Sequence, residues 1–438
     1  MKIKENIIFN IKKLPIIKSY FKKLENAMIE KRNIETWNFK RVRELIDERI
    51  EYKVKCGEKI NIVFVCHRPQ VWEAQHSIYE SLKEDARFDV KIVAIPNKLE
   101  LPDLFLNHEY YESEGAEDFW EEYGCINGYN YETKKWLDIS TLKPDYVFFQ
   151  QPYNITRPDI LKSSRVSEYA KICYVSYFSV TQYSELYNEC LPMDFLENVS
   201  LFFAQSEKDK KYVSDRCKEN GNDFTSVFLT GYPKYDCRIN DEDITSDIWK
   251  GNDKFKIIWT PRWTTNENNC NFFNYKDMFL KLCSNDKEIE FTFRPHPQAF
   301  KEWESTGEFT SKDVQELKRI FDNNEYMHID ESNTYIGLFN TSDCLITDLS
   351  SVTHEYFLTG KPIIYCIGGN PNYSLGFIDD GLYVVKNWDE LYKIINMLKR
   401  GEDPLLKRRE EIIKHDFYIN KNGAGKTIKE IIDNDVFK

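Results

Sequence analysis

TDLSSVTHEYFLTGKPIIYC, residues 347–366, decides how the chain folds. It opens on the end of an apolar run, DCLITD (343–348). Two serines, a short amphipathic stretch and Gly-Lys-Pro follow, and then a second apolar run, KPIIYC (361–366). A short buried strand, a helix and another short buried strand make a β-α-β unit, which sets its two strands parallel. Ser350 and Ser351 fall where the helix begins, and hydroxyls there cap free backbone N–H groups. The same N–H groups, at the positive end of the helix dipole, also hold anions such as phosphate. Glu355 lies one turn after Ser351 on the same helix face, where a carboxylate can accept from ribose hydroxyls. An ordinary serine cap with an acidic first turn explains the stretch about equally well.

The alternation continues on both sides. GLYVV (381–385) follows; KFKIIWTPRW (254–263), IEFTFRPHP (289–297) and YMHID (326–330) precede. An earlier series runs through KINIVFVC (59–66), FDVKIVAIP (88–96), PDYVFFQQP (144–152), AKICYVSYF (170–178), VSLFFAQSE (199–207) and TSVFLTGYP (225–233). The segment VWEAQHSIYESLKED (71–85) reads as a helix between the first two. These are short apolar runs of the buried parallel-strand kind. The polar stretch NDEDITSDIWKGNDK (240–254) reads as an interdomain linker. The fold class is therefore α/β, with two Rossmann-like domains facing a cleft, at 57–238 and 239–400. Helices fill 401–438, and 97–140, acidic and aromatic with weak periodicity, reads as an insertion.

The head of the chain differs. Residues 1–55 carry 15 Lys and Arg against 8 Asp and Glu, within a chain of net charge −12. Ile7, Ile11, Leu14, Ile17, Phe21, Leu24 and Met28 recur at helical spacing, with lysines between them. Residues 1–56 therefore form a helical extension, and 1–25 could lie on an anionic membrane surface or pack on the body of the protein. The acidic body argues against nucleic-acid binding. Eleven scattered cysteines without a CxxC pair fit a reducing cytosol, and argue against a zinc site. No apolar run reaches the length of a membrane span.

Single motifs are ambiguous. NGAGKT (422–427) lacks the first glycine and the preceding strand of a P-loop, so a turn or a helix N-terminus is the better reading. DED (241–243) reads as a solvated charge run. Cys66, at a strand end, reads as a buried thiol. Arg294 and His296 in FRPHP (293–297) are two apart at a strand end, and the Arg fork suits phosphate. Thr260 and Arg262 in WTPRWT (259–264) occupy another strand end. Asp348, Ser350 and Ser351 occupy a third. Taken one by one, each is as well explained by a turn, a cap or a salt bridge. Together, at the carboxyl edge of one parallel sheet, they form a pyrophosphate-binding set.

TGYPKYD (230–236), WTPRW, FRPHP and TDLSSVTHEYFLTGKPIIY occur in this order. The chain thereby resembles the CDP-glycerol glycerophosphotransferase family of teichoic-acid and capsule polymer synthesis, most strongly over about 225–430. That resemblance implies a GT-B fold and a metal-independent transferase at the inner membrane face, hence a cytoplasmic, peripheral protein. It implies transfer of glycerol phosphate or a related polyol phosphate from a CDP-activated donor to a hydroxyl of a glycan or lipid-linked acceptor, releasing CMP. No further cofactor is implied. Arg294, His296, Ser350 and Ser351 would hold the donor pyrophosphate, and Glu355 would face the ribose. The family's His-Gly-Thr-Pro-like segment is missing: the comparable strand end, CYVSYFSVTQ (173–182), has no His. KPDYVFFQQPYN (143–154) resembles a subgroup instead. His67 is then the nearest substitute base, beside His296. Two alternatives are a GT-B glycosyltransferase using a nucleotide sugar and a catalytically silent binding subunit.

Overall fold

A computed structural model describes residues 39–100, 109–112, 121–180, 185–236, 243–265, 270–332, 334–350, 352–367 and 374–437. The amphipathic stretch at 1–25 lies outside them.

Two parallel sheets carry the chain. The first runs, side by side, Ser226–Leu229, Val199–Ala204, Lys171–Val175, Tyr146–Phe149, Ile60–Cys66, Phe88–Ala94 and Ile126–Asn127. The second runs Met327–Ile329, Ile289–Phe293, Phe255–Thr260, Cys344–Thr347, Ile363–Cys366 and Tyr383–Val385. Every strand read from the sequence is present. The strands are shorter than the runs that announced them, mostly at the carboxyl end: PDYVFFQQP stops pairing at Phe149 and IEFTFRPHP at Phe293. The residues that leave the ladder are polar or proline, and they form the loops of the cleft. In each sheet the order reverses beside the first strand of that half, between Ile60–Cys66 and Tyr146–Phe149 and between Phe255–Thr260 and Cys344–Thr347. Loops diverge at such a reversal and leave a crevice at the carboxyl ends of the strands, where α/β proteins bind ligands.

Apolar side chains cover both faces of each sheet. Ile62, Phe64 and Phe148 pack with Ile78 and Leu82 of the helix His76–Lys83, while Val63 and Val147 pack with Phe195 and Val213 on the other face. In the second sheet, Trp259 stacks on Phe272 at 5.5 Å, and Phe272 stacks on Trp303 at 4.3 Å. The 97–140 insertion contains two small antiparallel ribbons, 97–100 with 109–112 and 129–130 with 135–136.

Packing redraws two of the expected boundaries. The helix over 39–56 belongs to the first core, because Ile46 and Ile50 are buried in it. The Asp of the KPD segment fixes that helix: fully buried Asp145 accepts from Lys53 Nζ at 2.6 Å and Arg49 Nε at 3.1 Å. The 401–438 region is not one unit. Leu406–His415 buries Ile412 in the second half, whereas Ala424–Val436 returns to bury Ile428, Ile432 and Val436 in the first. The described part of the 240–254 linker is tied to the second half, where buried Glu290 accepts from the backbone N–H of Lys250 at 2.6 Å and Gly251 at 2.9 Å.

The two passages between the halves meet. Gly231, at a left-handed φ of +83°, turns the chain where a Cβ would lie 3.1 Å from Asn420. Asn420 Nδ2 donates to the Thr230 carbonyl at 2.7 Å. Asp236 accepts from the N–H groups of Ala424 and Gly425, both at 2.7 Å. The NGAGKT motif is thus a helix start whose free N–H groups are capped by the chain's own carboxylate. Gly425 is required for packing, since a Cβ there would lie 2.5 Å from the backbone of Ser77.

Candidate active site

Thr260, Arg262, Arg294, His296 and Ser350 converge, as expected, on one cavity of about 330 Å³ between the two halves. Ser351 lies outside the described residues. Arg68, Tyr177, Phe178 and Lys234 enter the cavity wall from the other side. Four cations therefore line it, and among the described residues that line it there is no carboxylate.

In the second half, local bonding fixes each strand end. Thr260 and Thr347 sit side by side in register and bond through their hydroxyls at 2.9 Å. Asp348 then turns inward and is fully buried. Its Oδ2 accepts from the backbone N–H of Arg262 at 3.1 Å and of Asn271 at 2.7 Å, and its Oδ1 accepts from Asn271 Nδ2 at 3.0 Å. Burial lifts its pKa to about 7 against the pull of those donors. Asp348 is therefore no donor ligand. It pins the loop that carries Arg262 to the strand end that carries Ser350. The helix behind Ser350 is only Val352–Phe357, and the Ser350 carbonyl accepts from Thr353 Oγ1 at 2.7 Å.

Arg294 is held by Asp330 and by Ser332, whose carbonyl accepts from Nη2 at 2.9 Å; its guanidinium lies 5.6 Å from the centre of the Tyr335 ring. His296 stacks on Trp263, with ring centres 5.4 Å apart. Its Nδ1 accepts from the Gln298 N–H at 3.2 Å, which assigns the proton of the neutral ring to Nε2 and makes it a donor. Crowding in the cleft, with Arg68 and Arg262 nearby, lowers its pKa to about 4. The ring keeps an exposed edge and is neutral at pH 7.

Two expectations do not hold. His67 is buried behind the cavity wall at 3% exposure, where burial, Arg68 and Arg157 lower its pKa well below the usual value. The next residue, Arg68, reaches the cavity instead. Glu355 does not line the cavity. It is fully buried, and its Oε1 accepts from Lys234 Nζ at 3.1 Å. Its Oε2 is buried with no hydrogen-bond partner. The carboxylate thus sits behind Lys234, as the partner that holds this cation at the cavity wall.

Arg68, Lys234 and Tyr177 were missed. Lys234 lies inside the TGYPKYD motif, read only as a turn. Arg68 stands directly after KINIVFVC, but its importance follows from strand order. Only when Tyr146–Phe149 is placed beside Ile60–Cys66 do HRP and QQP face each other across a crevice. The Lys-Pro of the opening stretch has a structural part: Lys361 Nζ donates to the carbonyls of Phe339 at 3.0 Å, and of Asn340 and Ser342 at 2.6 Å, closing the carboxyl end of the helix Ile336–Thr341.

A larger cavity, about 880 Å³, lies elsewhere between the halves. Glu73, Glu80, Glu84, Asp236 and Asp330 line it, against Lys421 and Lys426. Its acidic wall repels a diphosphate, so chemistry selects the smaller cavity.

Residues 202–403 match the family model for CDP-glycerol:poly(glycerophosphate) glycerophosphotransferase. The minor teichoic acid biosynthesis protein GgaB of Bacillus subtilis (strain 168) is 25% identical over 242 residues, 49% of this chain. The match spans only 24% of that relative's length. The wall teichoic acid polymerase TagF has a similar fold, with a TM-score of 0.51 at 15% identity over 95% of this chain and 98% of that one. So does MnaA of S. aureus, solved with UDP, with a TM-score of 0.53 at 14% identity over 85% and 96%. The fold is GT-B-like, and residues 202–403 are similar to the CDP-glycerol glycerophosphotransferase family.

Proposed function

We propose that the protein transfers glycerol phosphate, or a related polyol phosphate, from a CDP-activated donor to an acceptor hydroxyl at the cell envelope. One observation carries this reading: a chain of net charge −12 gathers four cations, and among the described residues no carboxylate, around one interdomain cavity. Such a field favours an anion such as a diphosphate.

The acceptor oxygen forms a bond to the phosphorus that bears the polyol. The bond from that phosphorus to the bridging oxygen breaks, and its electron pair leaves with CMP. The hydroxyl proton passes to solvent or to a base. Phosphoryl transfer asks the protein mainly for positioning and for stabilisation of charge on the phosphoryl oxygens. Arg262, Arg294 and Ser350 serve the diphosphate from the donor half, and His296 serves as a neutral donor through Nε2–H. His296 is therefore read as a phosphate contact and His67 as a buried neighbour, which leaves general-base work to neither. A role of Tyr177 and Phe178, from the strand end that lacks the family histidine, is to flank the acceptor.

The test is product release from full-length protein given CDP-glycerol, CDP-ribitol or nucleotide sugars, with a glycan or lipid-linked acceptor. CMP release that depends on a CDP-polyol supports the proposal. Release of UDP or GDP from a nucleotide sugar without CMP release points to a glycosyltransferase and sinks it.

A further inference from the structure

We propose that Arg68 is a phosphate-binding residue supplied by the first half of the molecule and set in place by Gln150, so that one diphosphate is gripped from both sides of the cleft. The inference deepens the reading above and rests on it for the ligand class alone.

The loop after Ile60–Cys66 is fixed at unusually many points. Gln150 Oε1 accepts from the N–H groups of both His67, at 2.9 Å, and Arg68, at 2.8 Å. Gln150 Nε2 donates to the Arg68 carbonyl at 2.8 Å. One buried amide thus satisfies three backbone groups of two residues, and Pro69 opens the next turn, Pro69–Ala74. From below, Gln75 Nε2 donates to the Phe149 carbonyl at 2.9 Å and ties that turn to the neighbouring strand. A loop that only had to cross from strand to helix would not need these contacts. They determine where residue 68 points, and residue 68 is an arginine on the cavity wall.

The other cations are each held by a group of the second half. Asp330 and Ser332 hold Arg294, Arg262 Nε donates to Thr264 Oγ1 at 3.1 Å, and Glu355 holds Lys234. Arg68 faces them from the opposite sheet, and its charge reaches His296 across the cleft. Like charges brought together from two halves repel, and a diphosphate between them reverses the sign of that interaction. The ligand would then draw the halves together, and the planar guanidinium suits paired phosphate oxygens.

The experiment is calorimetric titration of full-length protein with CDP and with inorganic pyrophosphate. Arg68→Gln should weaken CDP about tenfold to a hundredfold, the range of one charge-assisted hydrogen bond, with thermal stability unchanged. Arg68→Lys should recover part of the loss. Gln150→Leu should weaken CDP in the wild-type background and add little to Arg68→Gln, because it acts through Arg68. A second readout is the His296 titration by NMR. Removing the Arg68 charge should raise the pKa of His296, whose ring faces Arg68, Arg262, Trp263 and the Gln298 N–H. Folded Arg68→Gln protein with wild-type CDP affinity would overturn the proposal, as would equal losses from Gln150→Leu in both backgrounds. Loss of CDP affinity in Arg68→Gln without turnover of any CDP-polyol would leave this inference standing and remove the proposed reaction. Failure of the wild-type protein to bind either CDP or pyrophosphate would remove both.

Discussion

The two halves each open a crevice where strand order reverses, and they stabilise it in different ways. In the first half a neutral amide, Gln150, clamps the loop at residues 67 and 68. In the second a carboxylate, Asp348, clamps the loop at 262 and the residue at 271. The first half brings Arg68, Lys234 and two aromatics to the cavity, and the second brings Arg262, Arg294 and hydroxyls from its strand ends. The same topology thus serves two tasks: the second crevice is built for an anion, and the first closes over it with two cations and aromatic walls. The clamps should also respond differently to pH, because only one of them titrates.

The largest effect is expected at the joint between the halves. Lys234→Met leaves Glu355 buried without its cation, and breaking a buried pair in this way costs about 3–5 kcal/mol. Urea unfolding should show that loss. Lys234→Met combined with Glu355→Leu should recover most of it, because no charge is then stranded. If the single variant unfolds at the wild-type midpoint, the pair does not join the halves.

The contrast between the clamps gives the next prediction. Asp348→Asn places an amide N–H against the donor of Asn271 and should cost about 1.5–3 kcal/mol, against about 0.5–1.5 kcal/mol for the neutral bonds lost in Gln150→Leu. The pH profile separates the two. Asp348 has a folded pKa of about 7, above the ordinary aspartate value near 4. Its contribution to stability is full below pH ~4 and is lost as pH rises through about 7. Asp348→Asn should therefore flatten the decline in stability between pH ~4 and ~7, whereas Gln150→Leu should lower the curve evenly. An unaltered slope in Asp348→Asn would show that this carboxylate is ionised throughout, held by its three N–H donors.

How far the sequence disclosed the molecule follows the same division. The strands were legible because each is a short apolar run broken by polar or proline residues, and the second-half site was legible because those breaks are Arg-Pro-His, Pro-Arg and Asp-Leu-Ser-Ser. Asp348 and Glu355 were expected to meet the ligand, and their burial behind the cavity wall was not legible. A carboxylate that binds a ligand and one that binds backbone N–H groups have the same letters around them. In the first half His67 drew attention as a side chain, while Arg68 beside it needed strand order to be noticed. Gln150 reads as a polar strand end until the two loops are placed together. The final helix could be assigned to neither half, because amphipathic spacing does not say which sheet it covers; Gly425 against Ser77 decides that.

The central claim is that the small cationic cavity between the switch points holds a diphosphate. A crystal structure with CDP tests it most directly. The account predicts the diphosphate within hydrogen-bonding distance of Arg262, Arg294, His296 and Ser350 on one side and of Arg68 on the other. CDP seated in the larger cavity among Glu73, Glu80 and Asp330, with Arg68 and His296 untouched, would contradict it.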